Sequence, residues 1–165
     1  MMESFRNATI EDLPQIIAIY NRAIEDGIST ADSVKVTADE KIDWFVSHDN
    51  KKWPILVKEY CNKVIAWVSL QPFYPHIAYE KSARINIYID SNFRGKKLGQ
   101  MFLKEVLEMA DEYDIENFLA LIFADNITSL KLFKKLGFKE WGHFPNVAKI
   151  KETRKDLLVL GLNVR

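Results

Sequence analysis

The sequence predicts an α+β fold in which helices pack against a mixed, twisted sheet of about six or seven strands. Three observations carry that expectation. Apolar residues recur at helical spacing in two long stretches, Leu13–Ile24 and Leu98–Ala110. Ala83–Asp90 alternates apolar and polar residues, while Phe118–Ala124 is a nearly continuous apolar run, as in a strand covered on both faces. The order strand, helix, helix, hairpin, central strand, helix, strand, helix, strands places helical connections between later strands, so part of the pairing is parallel.

In chain order, Phe5–Ala8 suits a short strand, and Thr9 with Asp12 resembles a helix cap with an acidic first turn. Leu13, Ile16, Ile17, Ile19, Tyr20, Ala23 and Ile24 form the following stripe, which Gly27 can stop. Thr37, with Glu40 three residues on, opens a second helix to Ser47 with Ile42, Phe45 and Val46 on its apolar side. Trp53–Glu59 and Val64–Leu70, separated by Tyr60–Lys63, read as an antiparallel hairpin ended by Pro72 and Pro75. In the central strand Ile85, Ile87 and Ile89 alternate with Arg84, Asn86 and Tyr88. A helix over Leu98–Tyr113 and the strand Phe118–Ala124 follow. Asp125 and Asn126 introduce a last helix with the stripe Leu130, Phe133 and Leu136, which Gly137 ends. Phe138 begins another short strand, and Leu157–Leu162 closes the sheet.

At 165 residues, with no repeat, linker or low-complexity stretch, residues 1–165 are expected to form one domain. Lys plus Arg and Asp plus Glu are both 23, which argues against nucleic acid or an anionic membrane as partner, so any anion site must be local. Cys61 is the only cysteine and no secretory leader pattern opens the chain, so a cytoplasmic protein is expected. His48, His76 and His143 lie far apart without ligand spacing, so no metal site is expected.

The local anion site is legible in Asp90-Ser91-Asn92-Phe93-Arg94-Gly95-Lys96-Lys97-Leu98-Gly99-Gln100, which joins a strand to a helix. Backbone N–H groups at a helix start lack intrahelical acceptors, and the helix dipole adds partial positive charge, so phosphate is the natural ligand. Arg94, Lys96 and Lys97 add full charges, while Gly95 and Gly99 permit close backbone approach. A solvated helix cap has the same composition, so the wider context decides.

That context is a resemblance. Arg94 and Gly99 fit the ends of the acetyl-CoA signature of the GNAT N-acetyltransferase superfamily, and Phe5-Arg6-Asn7-Ala8-Thr9 with Asp12, the Val64–Leu70 strand, and Ala124-Asp125-Asn126 through Leu136-Gly137-Phe138 extend the likeness over nearly the whole chain. Ile19-Tyr20-Asn21, Ser69-Leu70, Pro72-Phe73, Ala78-Tyr79 and Ile87-Tyr88-Ile89 resemble the phosphinothricin N-acetyltransferase-like branch. The resemblance implies a GNAT-like fold with a splay after the central strand, acetyl-CoA as acetyl donor, and direct transfer to a primary amine in a ternary complex. It also implies that the backbone of Ile87, Tyr88 and Ile89 pairs with pantetheine, that Arg94, Gly95, Lys96, Lys97, Leu98, Gly99 and Gln100 grip the pyrophosphate, and that Asn126 and Phe133 contact the cofactor. A small-molecule amine as acceptor, an amino acid or amino-acid-like toxin among the candidates, and a homodimer are further implications.

The chain departs from the pattern at three positions. Lys97 stands where the signature has its middle glycine, which predicts a negative φ there. Arg84 stands where the branch carries a Glu proposed as base, and a guanidinium cannot deprotonate an amine. Phe133 replaces the Tyr that protonates the leaving thiolate in many relatives. Glu80, Tyr79, Tyr88 and His76 are the substitutes near the central strand, though each also suits surface or packing duty. Arg84, Arg22 and Arg154 can pair with an acceptor's carboxylate or phosphinate, and Tyr20, Asn21, Phe73, Tyr74 and Tyr79 can shape an amine pocket. A non-catalytic acyl-CoA-binding module and an acetyltransferase of protein amines stand as alternatives.

Overall fold

In a computed structural model, residues 2–95 and 97–165 are described. Seven strands form one sheet: β1 (Arg6–Asn7), β2 (Ile55–Tyr60), β3 (Lys63–Pro72), β4 (Ser82–Ile89), β5 (Asn117–Phe123), β6 (Lys139–Ile150) and β7 (Thr153–Asn163). Their spatial order is β1-β2-β3-β4-β5-β7-β6. Only β4 and β5 pair in parallel; the other neighbours are antiparallel. Four helices cover it: α1 (Leu13–Asp26), α2 (Ile42–Val46), α3 (Leu98–Glu108) and α4 (Ile127–Lys135).

Local chemistry sets these elements. The Asp12 carboxylate accepts the Thr9 N–H at 2.8 Å and Pro14 sits in the first turn of α1, while Gly27 at φ 69° ends that helix. The expected Thr37–Glu40 box is present, with the Thr37 N–H donating to Glu40 Oε2 at 2.7 Å, but it opens a short 3-10 turn before α2 rather than one continuous helix. Cys61 and Asn62, both at positive φ, make the tight β2–β3 turn, the backbone that matches the twist of paired strands. The α3 helix ends at Glu108, five residues before the expected Tyr113, and irregular turns carry the chain to Asp114 at φ 50°.

The largest difference lies at the C-terminal end. Instead of a short strand at Phe138, β6 and β7 form a hairpin of 12 and 11 residues closed at Lys151, which has φ 53°. Nearly all of β6 is exposed at the sheet edge, so no apolar alternation marks it in the sequence.

Helices lie on both faces of the sheet. Leu13, Ile16, Ile17 and Ile19 of α1 pack with Ile55, Val57, Val64 and Trp67. Leu98, Phe102, Leu103 and Val106 of α3 with Leu130 and Phe133 of α4 pack against Ile65, Val68, Ile85 and Phe118. The alternation of Val57/Leu56 and Trp67/Val68 between these clusters follows from the two-residue period of a strand.

One break in this sheet positions the site. The β4–β5 ladder holds only Ser82 with Asn117, Ala83 with Phe118, and Arg84 with Leu119. Beyond Arg84, β4 stays paired to β3 as far as Ile89, and β5 to β7 as far as Phe123, while their facing edges separate.

Candidate active site

The β4–α3 loop is fixed at its entrance by Asp90, which is buried. Its Oδ1 accepts the Asn92 N–H at 2.9 Å and its Oδ2 pairs with Arg22 at 2.6 Å. Burial alone would raise the Asp90 pKa, but the Asn92 N–H and Arg22 outweigh it and hold the carboxyl below its usual range. Arg94 is committed as well, since its Nε donates to the Ile89 carbonyl at 3.1 Å and its Nη1 to Asp26 of α1 at 2.7 Å. Arg94 therefore ties the loop to the end of α1; among the described residues, the backbone N–H groups at the start of α3 and Lys97 remain as donors at the loop.

Two glycine arguments change. Lys97 is the N-cap of α3 at φ 61°, not at the negative φ expected, so it holds the left-handed conformation that the usual glycine favours. Its side chain makes no capping bond, and the first N–H groups of α3 keep their outward donors. At Gly99 a Cβ would lie 3.3 Å from Ile89 Cδ1 and 3.4 Å from Leu132 Cδ2. The close approach there is of α3 to β4 and α4. Gly95 at φ 78° supplies the loop's other left-handed position, and Lys96 lies outside the described residues.

The splay opens a cavity of about 520 Å³, lined from β4 by Arg84, Ile85, Asn86, Ile87 and Tyr88, from β5 by Ala120–Phe123, and from α4 by Asn126, Ser129 and Phe133. Unpaired strand edges of this kind offer N–H and C=O groups to an extended amide chain such as pantetheine. Asn126 has two duties: its Oδ1 caps α4 by accepting the Ser129 N–H at 3.2 Å, and its amide NH₂ is left to the cavity. Phe133 lines the same wall and packs edge-to-face on Phe138, with ring centroids 4.9 Å apart. These features fit acetyl-CoA.

The opposite wall has an aromatic floor. Tyr88 stacks on Trp67 at 4.7 Å and meets Tyr20 edge-on at 5.3 Å. The Tyr20 hydroxyl lies 2.8 Å from Thr30 Oγ1 and donates to Asp32 Oδ2. Burial pushes the Tyr88 phenol up to about 12, and burial with the Asp32 bond drives Tyr20 above its usual value, so both are neutral donors near neutral pH. Arg84 lines the cavity with a buried Nε that has no acceptor among the described residues, and Trp67 Nε1 is in the same state. A buried donor without a partner is costly, so an anionic or carbonyl group of a ligand is the expected complement at Arg84.

Of the residues expected to bind acceptor or carry chemistry, Tyr20, Arg84 and Tyr88 meet at this cavity. Asn21 does not line it, because its side chain clasps both the N–H and C=O of Val36 and so fixes the chain after α1. Phe73, Tyr74, Tyr79, His76 and Glu80 cluster instead in the exposed β3–β4 connection, where Tyr79 contacts Phe73, Tyr74 and His76. Arg22 is engaged by Asp90, and Arg154 is exposed on β7. Thr30, Asp32, Lys41, Trp44, Trp67 and Ser129 line the cavity without having been singled out in the sequence. Trp67 reads there as core, and Asp32 sits in a polar loop without periodicity. Among the described residues no cluster of His, Cys, Asp or Glu can hold a metal, and no helix is long and apolar enough to cross a membrane.

Comparison with known proteins adds independent observations. The chain is 42% identical over 159 residues, 96% of its length and 97% of the relative's, to YwnH of Bacillus subtilis (strain 168), provisionally named a phosphinothricin acetyltransferase. It is 28% identical, over 99% of its length and 96% of the relative's, to an L-methionine sulfoximine/L-methionine sulfone acetyltransferase of Pseudomonas aeruginosa. A crystal structure provisionally described as a phosphinothricin N-acetyltransferase superposes with TM-score 0.94 at 40% identity, covering 100% of this chain and 99% of that one. The family profile described as acetyltransferase (GNAT) domain matches residues 5–159. With its splayed sheet, its signature loop and these matches, the chain belongs to the GNAT family of acetyl-CoA-dependent acetyltransferases.

Proposed function

We propose that this enzyme transfers the acetyl group of acetyl-CoA to the primary amine of a small, amino-acid-like molecule that also carries a carboxylate or phosphinate. The observation that carries the acceptor class is Arg84, a cation in the cavity lining whose buried Nε has no acceptor among the described residues. Relatives named for phosphinothricin and for methionine sulfoximine or sulfone support the same class.

In this reading the first turn of α3 and Lys97 hold the pyrophosphate, the open edge of β4 along Ile87–Ile89 receives the pantetheine amides, and Asn126 adds its amide donors. Arg84 fixes the acceptor's anionic group bidentately or through Nε, which aims the amine at the thioester carbonyl. The amine attacks that carbon, a C–N bond forms, the C–S bond breaks, and the thiolate gains a proton while the amine nitrogen loses one. Positioning and backbone donors at the developing oxyanion supply most of the acceleration, because Arg84 has replaced a carboxylate base and Phe133 has no hydroxyl. Neutral Tyr88 is the hydroxyl donor that β4 contributes to the cavity lining.

We further read residues 1–165 as one cytoplasmic domain that forms homodimers; the lone, unbonded Cys61 and the exposed Phe73, Tyr74, Ile77 and Tyr79 support this. The test is release of free thiol from acetyl-CoA across a panel of α-amino acids, their decarboxylated amines, polyamines and peptides. Turnover is expected with amino acids and at least about tenfold less with the decarboxylated amines, the scale of one lost charged pair. Equal turnover of both, or turnover of peptides alone, overturns the proposal.

A further inference from the structure

We infer that Asp32 binds the acceptor's ammonium group and that, opposite Arg84, it makes the cavity selective for a zwitterion. The inference rests on the acceptor class proposed above. Among the described residues that line the cavity, Asp32 is the only carboxylate, against the two cations Lys41 and Arg84 and the two neutral phenols Tyr20 and Tyr88. An acceptor amine arrives mostly protonated at neutral pH. Without an anion it would face only like charge from Lys41 and Arg84, and one carboxylate in the lining can relieve that.

Asp32 is built for the role. Its Oδ2 accepts the Tyr20 hydroxyl, and its backbone N–H donates to Thr30 Oγ1 at 3.3 Å, so the side chain is held on the aromatic floor. Its Oδ1 has no donor and Asp32 has no ion-pair partner among the described residues, unlike Asp12, Asp26 and Asp90, each engaged by an arginine. Asp32, Arg84 and Tyr88 all line the same cavity, so the anion and the cation border one space. A molecule that carries both an ammonium and an acid group offers a complement to each of them. The cationic pole thus lies on β4 and the anionic pole on the α1–α2 connection.

The pH dependence separates this role from mere packing. Asp32 favours the charged form of the bound amine, while Lys41 and Arg84 disfavour it; Tyr20 and Tyr88 stay neutral. Removing the Asp32 charge therefore weakens capture of the ammonium but lets the bound amine lose its proton at lower pH.

The test measures calorimetric binding of L-methionine sulfone and of its α-hydroxy analogue, which lacks the ammonium, to the CoA-loaded protein, beside pH profiles of kcat. Asp32→Asn is expected to weaken the amino acid at least about tenfold, leave the hydroxy acid within about twofold, preserve acetyl-CoA affinity, and move the rising limb of the kcat profile to lower pH. Asp32→Ser repeats the result without the isosteric amide, and Asp32→Glu recovers part of the affinity. Unchanged amino-acid binding, or equal loss of both ligands, overturns the assignment of Asp32 while leaving the proposed activity standing if the wild type turns over amino acids. A wild type that binds CoA but neither amino acid nor hydroxy acid overturns both.

Discussion

Replacing Lys97 by Gly should make the protein more stable, although it removes a charged side chain and adds no contact. Lys97 sits at φ 61°, ψ 7°, where a Cβ crowds the neighbouring carbonyl at a cost of about 1–2 kcal/mol. Glycine removes that strain but loses about 0.5–1 kcal/mol through the greater freedom of its unfolded chain. The balance is a gain of about 0–1.5 kcal/mol, centred near 0.75, or a rise of about 2–3 °C in Tm at that centre for a chain of this length. Lys97→Ala is the control, since it removes the same charge and keeps the Cβ; its Tm should stay within about 1 °C of the wild type. Thermal melts followed by circular dichroism decide the matter, and a Gly variant no more stable than the Ala variant refutes the conformational argument. Acetyl-CoA titration then separates backbone from charge, because an equal loss of affinity in both variants assigns it to the missing ammonium.

Two further outcomes follow from packing and titration. A Cβ at Gly161 would fall 2.0 Å from Trp141 Cε3, so Gly161→Ala must displace the indole and should cost about 1–3 kcal/mol; in the Trp141→Ala background the same change should be nearly silent, and additive losses by chemical denaturation would contradict this contact. Asp12 and Asp90 both have carboxyls held below the usual range: burial opposes this in each, but Arg6 and the Thr9 N–H prevail at Asp12, and the Asn92 N–H and Arg22 at Asp90. A depressed carboxyl contributes stability that is present above its unfolded pKa and lost as pH falls through the folded value, so denaturant midpoints should be level from neutral pH to about 5 and fall below about 4. Asp90→Asn should be less stable at neutral pH and flatten that fall; an unchanged slope would remove Asp90 from the explanation.

The fold was legible where burial imposes a period. The stripe of α1, the alternation of β4 and the apolar run of β5 each sit against a buried face, and all three elements appear within a few residues of their expected limits. The β6–β7 hairpin was not legible over its length, because β6 is an edge strand exposed on both sides and carries Gly142 and Pro145. Its partner β7 is seen in the sequence only where Leu158 and Leu160 turn inward. The α3 helix was drawn too long for a related reason: Ala110 and Tyr113 are buried and continue the apolar spacing, yet irregular turns bury them equally well.

The loop proposed to hold the acetyl donor was more legible than the cavity proposed to hold the acceptor, and the difference is physical. Phosphate recognition uses backbone N–H groups at a strand-to-helix junction, and local sequence suffices to build such a junction. The acceptor pocket is assembled from a loop after α1, the floor of β3 and one end of β4, so its members share no spacing. Arg84 shows what this implies. Read alone, it appears as the loss of a base; placed in the cavity lining with an unpaired Nε and with Asp32 in the same lining, it becomes one pole of a proposed pair whose other pole lies 52 positions earlier in the chain. A cavity lined by the cations Arg84 and Lys41 suits an ammonium only if an anion also lines it, and Asp32 is the one carboxylate among the described lining residues.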